Sequence, residues 1–95
     1  MSLSFEWDAR KAAANLRKHG VSFEEASTAF GDPLAAIFDD EEHSDREMRE
    51  IMVGHSYGKR LLIVSFVEKP GVIRIISARK ATKRERINHE ENQTR

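Results

Sequence analysis

Three strand-like apolar runs occupy the second half of the chain, at about Arg46 to His55, Leu61 to Val67 and Val72 to Ala78, with only Tyr57-Gly58-Lys59 and Lys69-Pro70-Gly71 as turns between them. Parallel neighbours need a crossover of a dozen or more residues, so runs this close in sequence must pair as antiparallel hairpins. Leu61-Leu62-Ile63-Val64 is apolar on both faces of an extended chain, which predicts the middle of the sheet for that run.

The first half supplies the cover for such a sheet. Ser4-Phe5-Glu6-Trp7 alternates as a short strand with Phe5 and Trp7 facing the core. Asp8 is placed as the N-cap of a helix through Leu16 and Lys18 that stops at His19-Gly20, where glycine adopts the left-handed conformation at low cost. Ser22 and Glu25 form the S-x-x-E pattern of a capping box, with Val21 set to pack on Ala26, and this second helix ends at Gly31-Asp32-Pro33. Only Val21 and Ser22 separate the two helices, so they form a tight pair. Leu34 to Phe38 is read as a short strand and Asp39 to Glu42 as an acidic loop leading into His43-Ser44. Thr82-Lys83-Arg84-Glu85 repeats the capping pattern and opens a C-terminal helix to about Glu91.

The expected fold class is therefore α+β, in the order β-α-α-β-β-β-β-α: two N-terminal helices on one face of a mainly antiparallel sheet of four to five strands, with a basic C-terminal helix appended. At 95 residues the expectation is a single domain over 1–95 with one modest core. Without cysteine, neither disulfides nor thiolate zinc sites add stability. The longest apolar run, Leu61 to Val67, is far short of the roughly 20 residues of a membrane helix. With no signal-peptide pattern at the N-terminus, a cytoplasmic location and no membrane partner are expected.

The formal net charge of zero hides a segregation. Residues 1–50 carry 6 Lys/Arg against 12 Asp/Glu, a balance of −6, and residues 51–95 carry 10 against 4, a balance of +6. Such asymmetry points to a nucleic-acid or other polyanion face, or to two halves that attract each other within the fold.

Residues Phe5-Glu6-Trp7-Asp8, Lys18-His19-Gly20-Val21-Ser22-Phe23-Glu24-Glu25-Ala26, Asp32-Pro33, His43-Ser44, Glu47, Arg49, Gly54, Ser56, Gly58, Arg60 and Arg74-Ile75-Ile76-Ser77-Ala78-Arg79-Lys80-Ala81 together resemble the BrnT-type toxins, from Phe5 to about Glu90. The resemblance implies a RelE-like fold and metal-independent endoribonuclease activity that inhibits translation. It also implies neutralisation by a BrnA-type antitoxin that carries the DNA binding, in a homodimer or a hetero-tetramer with antitoxin. One position departs: relatives commonly place a tyrosine just before the glutamate near the end, where this chain has His89 before Glu90. A role of that aromatic in RNA contact or catalysis then passes to His89 or is altered.

Metal-free RNA cleavage through the 2′-hydroxyl needs a base, cations for the phosphorane charge and an acid for the leaving oxygen. The cations are Arg60, Arg74, Arg79, Lys80, Lys83, Arg84 and Arg86. Arg79, at a strand end beside a helix opening, is the one favoured for the phosphate, because its planar fork bonds two oxygens and stays charged. Arg74 and Arg79 are an odd number of residues apart, so an unbroken strand points them to opposite faces. The acid–base candidates are the histidines, each with a plain structural rival. His19 suits a helix C-terminus electrostatically, His43 a solvated loop, His55 a half-buried strand and His89 an exposed helical face. Glu47 competes with a role as ion-pair partner of Arg49. The catalytic set is thus Arg79, His43, Glu47, Arg60 and His89, and the RNA-binding set is Arg74, Lys80, Lys83, Arg84 and Arg86, with no metal ligand and no cofactor expected.

Two other classes remain open. One is a nucleic-acid- or antitoxin-binding module with weak or no catalysis; the other is an interaction protein whose sheet edge accepts a partner strand.

Overall fold

A computed structural model describes residues 3–43 and 47–93, without the side chain of His43; Ser44 and Arg46, both invoked above, lie outside the described residues. The elements are β1 (Phe5–Glu6), α1 (Ala9–His19), α2 (Phe23–Thr28), β2 (Ala36–Asp39), β3 (Arg49–His55), β4 (Leu61–Lys69), β5 (Val72–Lys80) and α3 (Lys83–Gln93), with 3-10 turns at Ala29–Gly31 and Glu41–His43. The α+β class and the element order are those expected from sequence. The sheet order is β1-β5-β4-β3-β2, so the doubly apolar Leu61 run is its central strand. All pairings are antiparallel except that of β1 with β5.

Caps determine where the first helices begin and end. The Asp8 carboxylate accepts from the amides of Arg10 and Lys11, at 2.8 and 3.1 Å, and Gly20 closes α1 at φ 69° with its N–H on the Leu16 carbonyl. Ser22 Oγ accepts from the Glu25 amide at 3.0 Å. The return half of that capping box is absent, because the Glu25 side chain leaves the helix to meet Ser56 and Arg60. A guanidinium fork outbids one backbone amide for a carboxylate.

The helix pair lays Val21, Phe23, Ala26 and Ala29 on a sheet face made by Met52, Leu62, Val64, Phe66, Ile73, Ile75 and Ala78, all buried. Each large side chain among them contributes about 1.5–3 kcal/mol through burial. Aromatic edges close the rim: Phe30 packs on Phe66 at 5.0 Å and on Phe5 at 5.3 Å, and Trp7 meets Phe23 edge-on at 5.9 Å. Gly54 lets the turn after α2 approach β3. A Cβ there would stand 2.8 Å from Met52 Sδ and 3.0 Å from the Ala29 carbonyl oxygen.

Asn15 joins α1 to the sheet. β1 covers only Ile73 and Arg74 on the outer edge of β5. Further along that edge the Asn15 amide takes the place of a strand, accepting from the Ala78 N–H at 3.1 Å and donating to the Ala78 and Val21 carbonyls at 2.7 and 3.0 Å.

The register of β5 against β4 slips between Ser65 and Phe66. Ser65 pairs with Ser77 and Phe66 with Ile75, which leaves Ile76 as the extra residue of a β-bulge. This one residue overturns the alternation expected for an unbroken strand. Ile73, Ile75 and Ala78 lie on the helix-covered face, so Arg74 and Arg79 share the opposite one.

Candidate active site

The face of the sheet away from α1 and α2 carries Arg79, Ile63 and Val53 in one cross-strand row and Ser77, Ser65 and Ile51 in the next. α3 runs beside it. Its start is a complete capping box: the Glu85 amide donates to Thr82 Oγ1 at 3.1 Å, and the Thr82 amide donates to Glu85 Oε1 at 2.8 Å. The Thr82 amide thereby aims the Glu85 carboxylate back at the end of β5. There it grips Arg79 through two parallel bonds, Nη1 to Oε1 at 2.8 Å and Nη2 to Oε2 at 2.9 Å. The remaining Nη1 hydrogen reaches the Lys80 carbonyl at 3.3 Å. A guanidinium has five N–H donors, so the Nε–H and one Nη2–H are left for a ligand.

The Arg79 bonds pull the Glu85 carboxyl down to about 2, with help from Thr82 and against the cost of burial; the same pairing raises Arg79. A depressed carboxylate stabilises the fold fully above its unfolded value of 4.5, and that contribution is lost as pH falls through about 2. Because both side chains are more than a third exposed, solvent screening limits the pair to about 1 kcal/mol or less. Melting temperatures of the wild type and Glu85→Gln, followed from neutral pH downward, are expected to differ most above pH 4.5 and to converge toward pH 2. Curves that stay parallel would remove the pair from the account.

Two depressions share Arg79. One, about 430 Å3, is lined by His19, Asp40, Glu42, Arg49, Ser65, Ser77 and Arg79 among others. The other, about 370 Å3, lies between α3 and the apolar row Ala36, Val53 and Ile63, with His89 and Gln93 in its wall. His19 therefore stands at the end of α1 and in the cleft wall, a place the helix-terminus reading did not include.

The remaining predicted residues are divided between other places. His89 is buried at 6% exposure, where an exposed helical face was expected. The Gln93 amide nitrogen lies 2.6 Å from its Nε2 and donates to the Leu34 carbonyl at 2.7 Å, clipping α3 to the segment before β2. The His89 ring lies 5.9 Å from that of His55. Arg60 turns to the helix side, where its Nε donates to Glu25 Oε2 at 2.8 Å, its Nη2 to Glu25 Oε1 and also to the Gly20 carbonyl at 3.1 Å. The Arg60 bond, then that of Ser56, hold the Glu25 carboxyl below its ordinary value despite burial. Arg74 sits at the β1 edge with Glu6, 3.4 Å away, which Lys69 shares at 3.2 Å. Lys83 and Arg84 are exposed on α3, Glu47 is exposed before β3, and Lys80 and Arg86 line a separate pocket. The cations after residue 59 thus do not converge on a single face. The acids of the first half claim Arg60 and Arg74, while Arg79 stays on the open face.

Arg49, Ser65 and Ser77 entered no earlier site list. Arg49 and Ser77 lay in the quoted sequence blocks and Ser65 in none, and only the sheet register shows that the three share a face.

Residues 7–85 match the family described as the ribonuclease toxin, BrnT, of type II toxin–antitoxin systems. The chain belongs to this family. The crystal structure of the Brucella abortus ribonuclease toxin BrnT superposes with a TM-score of 0.67 at 24% identity, covering 86% of this chain and 100% of that one, so the fold is shared. No curated protein matches the chain. No helix among the described residues is long and apolar enough to cross a membrane.

Proposed function

We propose that this BrnT-family chain is a metal-independent endoribonuclease whose cleft around Arg79 cleaves single-stranded RNA by attack of the 2′-hydroxyl on its own phosphodiester. The observation that carries this reading is the Arg79 guanidinium, oriented by a carboxylate and left with two N–H donors, with an imidazole, His19, in the same cleft. Arg79 takes the charge that builds on the phosphorane, which is the role a metal ion would otherwise fill. His19 exchanges protons with the attacking or leaving oxygen, and Ser65 and Ser77, in the same cleft, offer hydroxyls to the RNA backbone. His43 and Glu47 precede β3 and keep their candidacy for the second proton transfer. Arg60 and His89 hold the scaffold, one between α2 and β4 and the other beneath α3.

In the cell this activity inhibits translation, in the cytosol where mRNA is met, until a BrnA-type antitoxin neutralises it. The alternative of a binding module without turnover draws on Asp40 and Glu42, whose carboxylates line the cleft and oppose a phosphate.

The two readings part on turnover. Purified chain in excess chelator is expected to cut single-stranded RNA, leaving 2′,3′-cyclic phosphate ends, and to spare any linkage whose 2′-hydroxyl is replaced by hydrogen. Cleavage that requires added divalent ion, or that persists at the deoxy position, would defeat the mechanism; binding without cleavage would favour the module.

A further inference from the structure

A third pocket, about 200 Å3, lies where the end of β3, the turn into β4, the end of β5 and α3 come together. Lys59, Arg60, Lys80 and Arg86 line it, four permanent cations from three separate places in the chain, with His55 beside them. No carboxylate among the described residues lines it, whereas Glu85 lines the apolar groove and Asp40 and Glu42 the cleft. Glu25 engages Arg60 and Asp32 engages His55, the latter through Nδ1 at 3.1 Å and through the backbone amide at 2.7 Å. Lys59, Lys80 and Arg86 make no side-chain hydrogen bond or ion pair with the described residues.

Cations held together without neutralising partners repel one another and raise the local concentration of anions. The turn adds a second observation. Lys59 has φ 65°, the left-handed region, where a non-glycine residue costs about 1–2 kcal/mol. Glycine would fit that backbone without steric cost, so the cation stands there against the local preference.

The pocket and the cleft lie at the same end of β5, on opposite sides of the strand. Lys80 follows Arg79 directly in β5, and His55 in the pocket wall faces His89 in the groove wall with ring centres 5.9 Å apart. The geometry points to this pocket as a second phosphate subsite, one that grips a backbone phosphodiester of the RNA flanking the bond being cut. The inference rests on the ribonuclease reading, and it adds Lys59, His55 and the Nη1 of Arg60, which Glu25 and Gly20 leave free, to the groups that meet substrate. Because an RNA strand carries a phosphate at every step, a grip beside the reacting one positions the chain without competing for Arg79.

The test uses equilibrium binding of a labelled, uncleavable 2′-O-methyl RNA strand between about 50 and 200 mM salt. Lys59→Gly and Lys59→Gly/Arg86→Gln are compared with the wild type and with Lys11→Gln, on the exposed side of α1. The double variant is expected to bind about tenfold more weakly and to flatten the logarithmic salt slope by about one. Lys59→Gly should melt no lower than the wild type, because its backbone strain is relieved; a residue with only a structural role would do the reverse. Wild-type slope and affinity in the double variant, an equal loss in Lys11→Gln, or no binding by the wild type would each overturn the subsite. Cleavage is scored separately: a chain that cuts RNA with an unaltered binding slope keeps the ribonuclease reading and loses the subsite. One that shows the slope change without cutting does the opposite.

Discussion

Arg79→Ala is expected to lower kcat for RNA cleavage by about 10²–10³-fold, the usual result of removing one preorganised donor from a developing oxyanion. The loss should fall on kcat more than on KM, because the phosphorane carries more charge than the ground-state diester and interactions that strengthen in the transition state govern the rate. Arg79→Lys should recover little of it, since an ammonium cannot hold two bonds to Glu85 and present two more. Removing Arg79 also strips Glu85 of its partner, so melting temperature must be followed beside kcat. That structural loss is bounded at about 1 kcal/mol by the exposure of the pair, far too little to explain a thousandfold fall in a folded enzyme. A folded Arg79→Ala variant with kcat within a factor of about three of wild type would remove Arg79 from the chemistry, since each tenfold step is 1.36 kcal/mol.

The second large effect is on stability. Asn15→Leu removes three buried hydrogen bonds and strands the Ala78 N–H and the carbonyls of Ala78 and Val21. A buried backbone group left without a partner costs about 1–3 kcal/mol, so the expected loss is about 3 kcal/mol or more. Against a domain stability of about 5–15 kcal/mol, this leaves a chain that is close to unfolding when warmed. Urea unfolding measures it, and a loss below about 1 kcal/mol would show that the edge of β5 finds another partner. Asn15→Asp separates shape from chemistry. It keeps the acceptor for the Ala78 amide but loses both donations and buries a charge, so it should be no milder than leucine.

Local rules carried most of the fold. The Asp8 and Thr82 caps, the left-handed Gly20 and the short turns around Gly58 and Gly71 act over a few residues, and the helices and hairpins they predict are present. Failures came where a local signal met a distant competitor. Glu25 abandoned its capping box for Arg60, 35 residues away, and His89 left the expected exposed face for burial beside Gln93. The site was legible in part. The place of Arg79 at a strand end beside a helix opening was legible; its pairing with Glu85 and the cleft that gathers His19, Arg49, Ser65 and Ser77 were not.

By itself the sequence determined the α+β class, the element order, the central place of the Leu61 strand and the basic character of the second half, because each follows from periodicity, caps, turn length or counting. Only the tertiary structure decided which cations share a face. Side-chain direction along a strand alternates residue by residue, and one unpaired residue, Ile76, reverses it. The choice of carboxylate for each arginine likewise depends on contacts across the fold, which no spacing along the chain encodes.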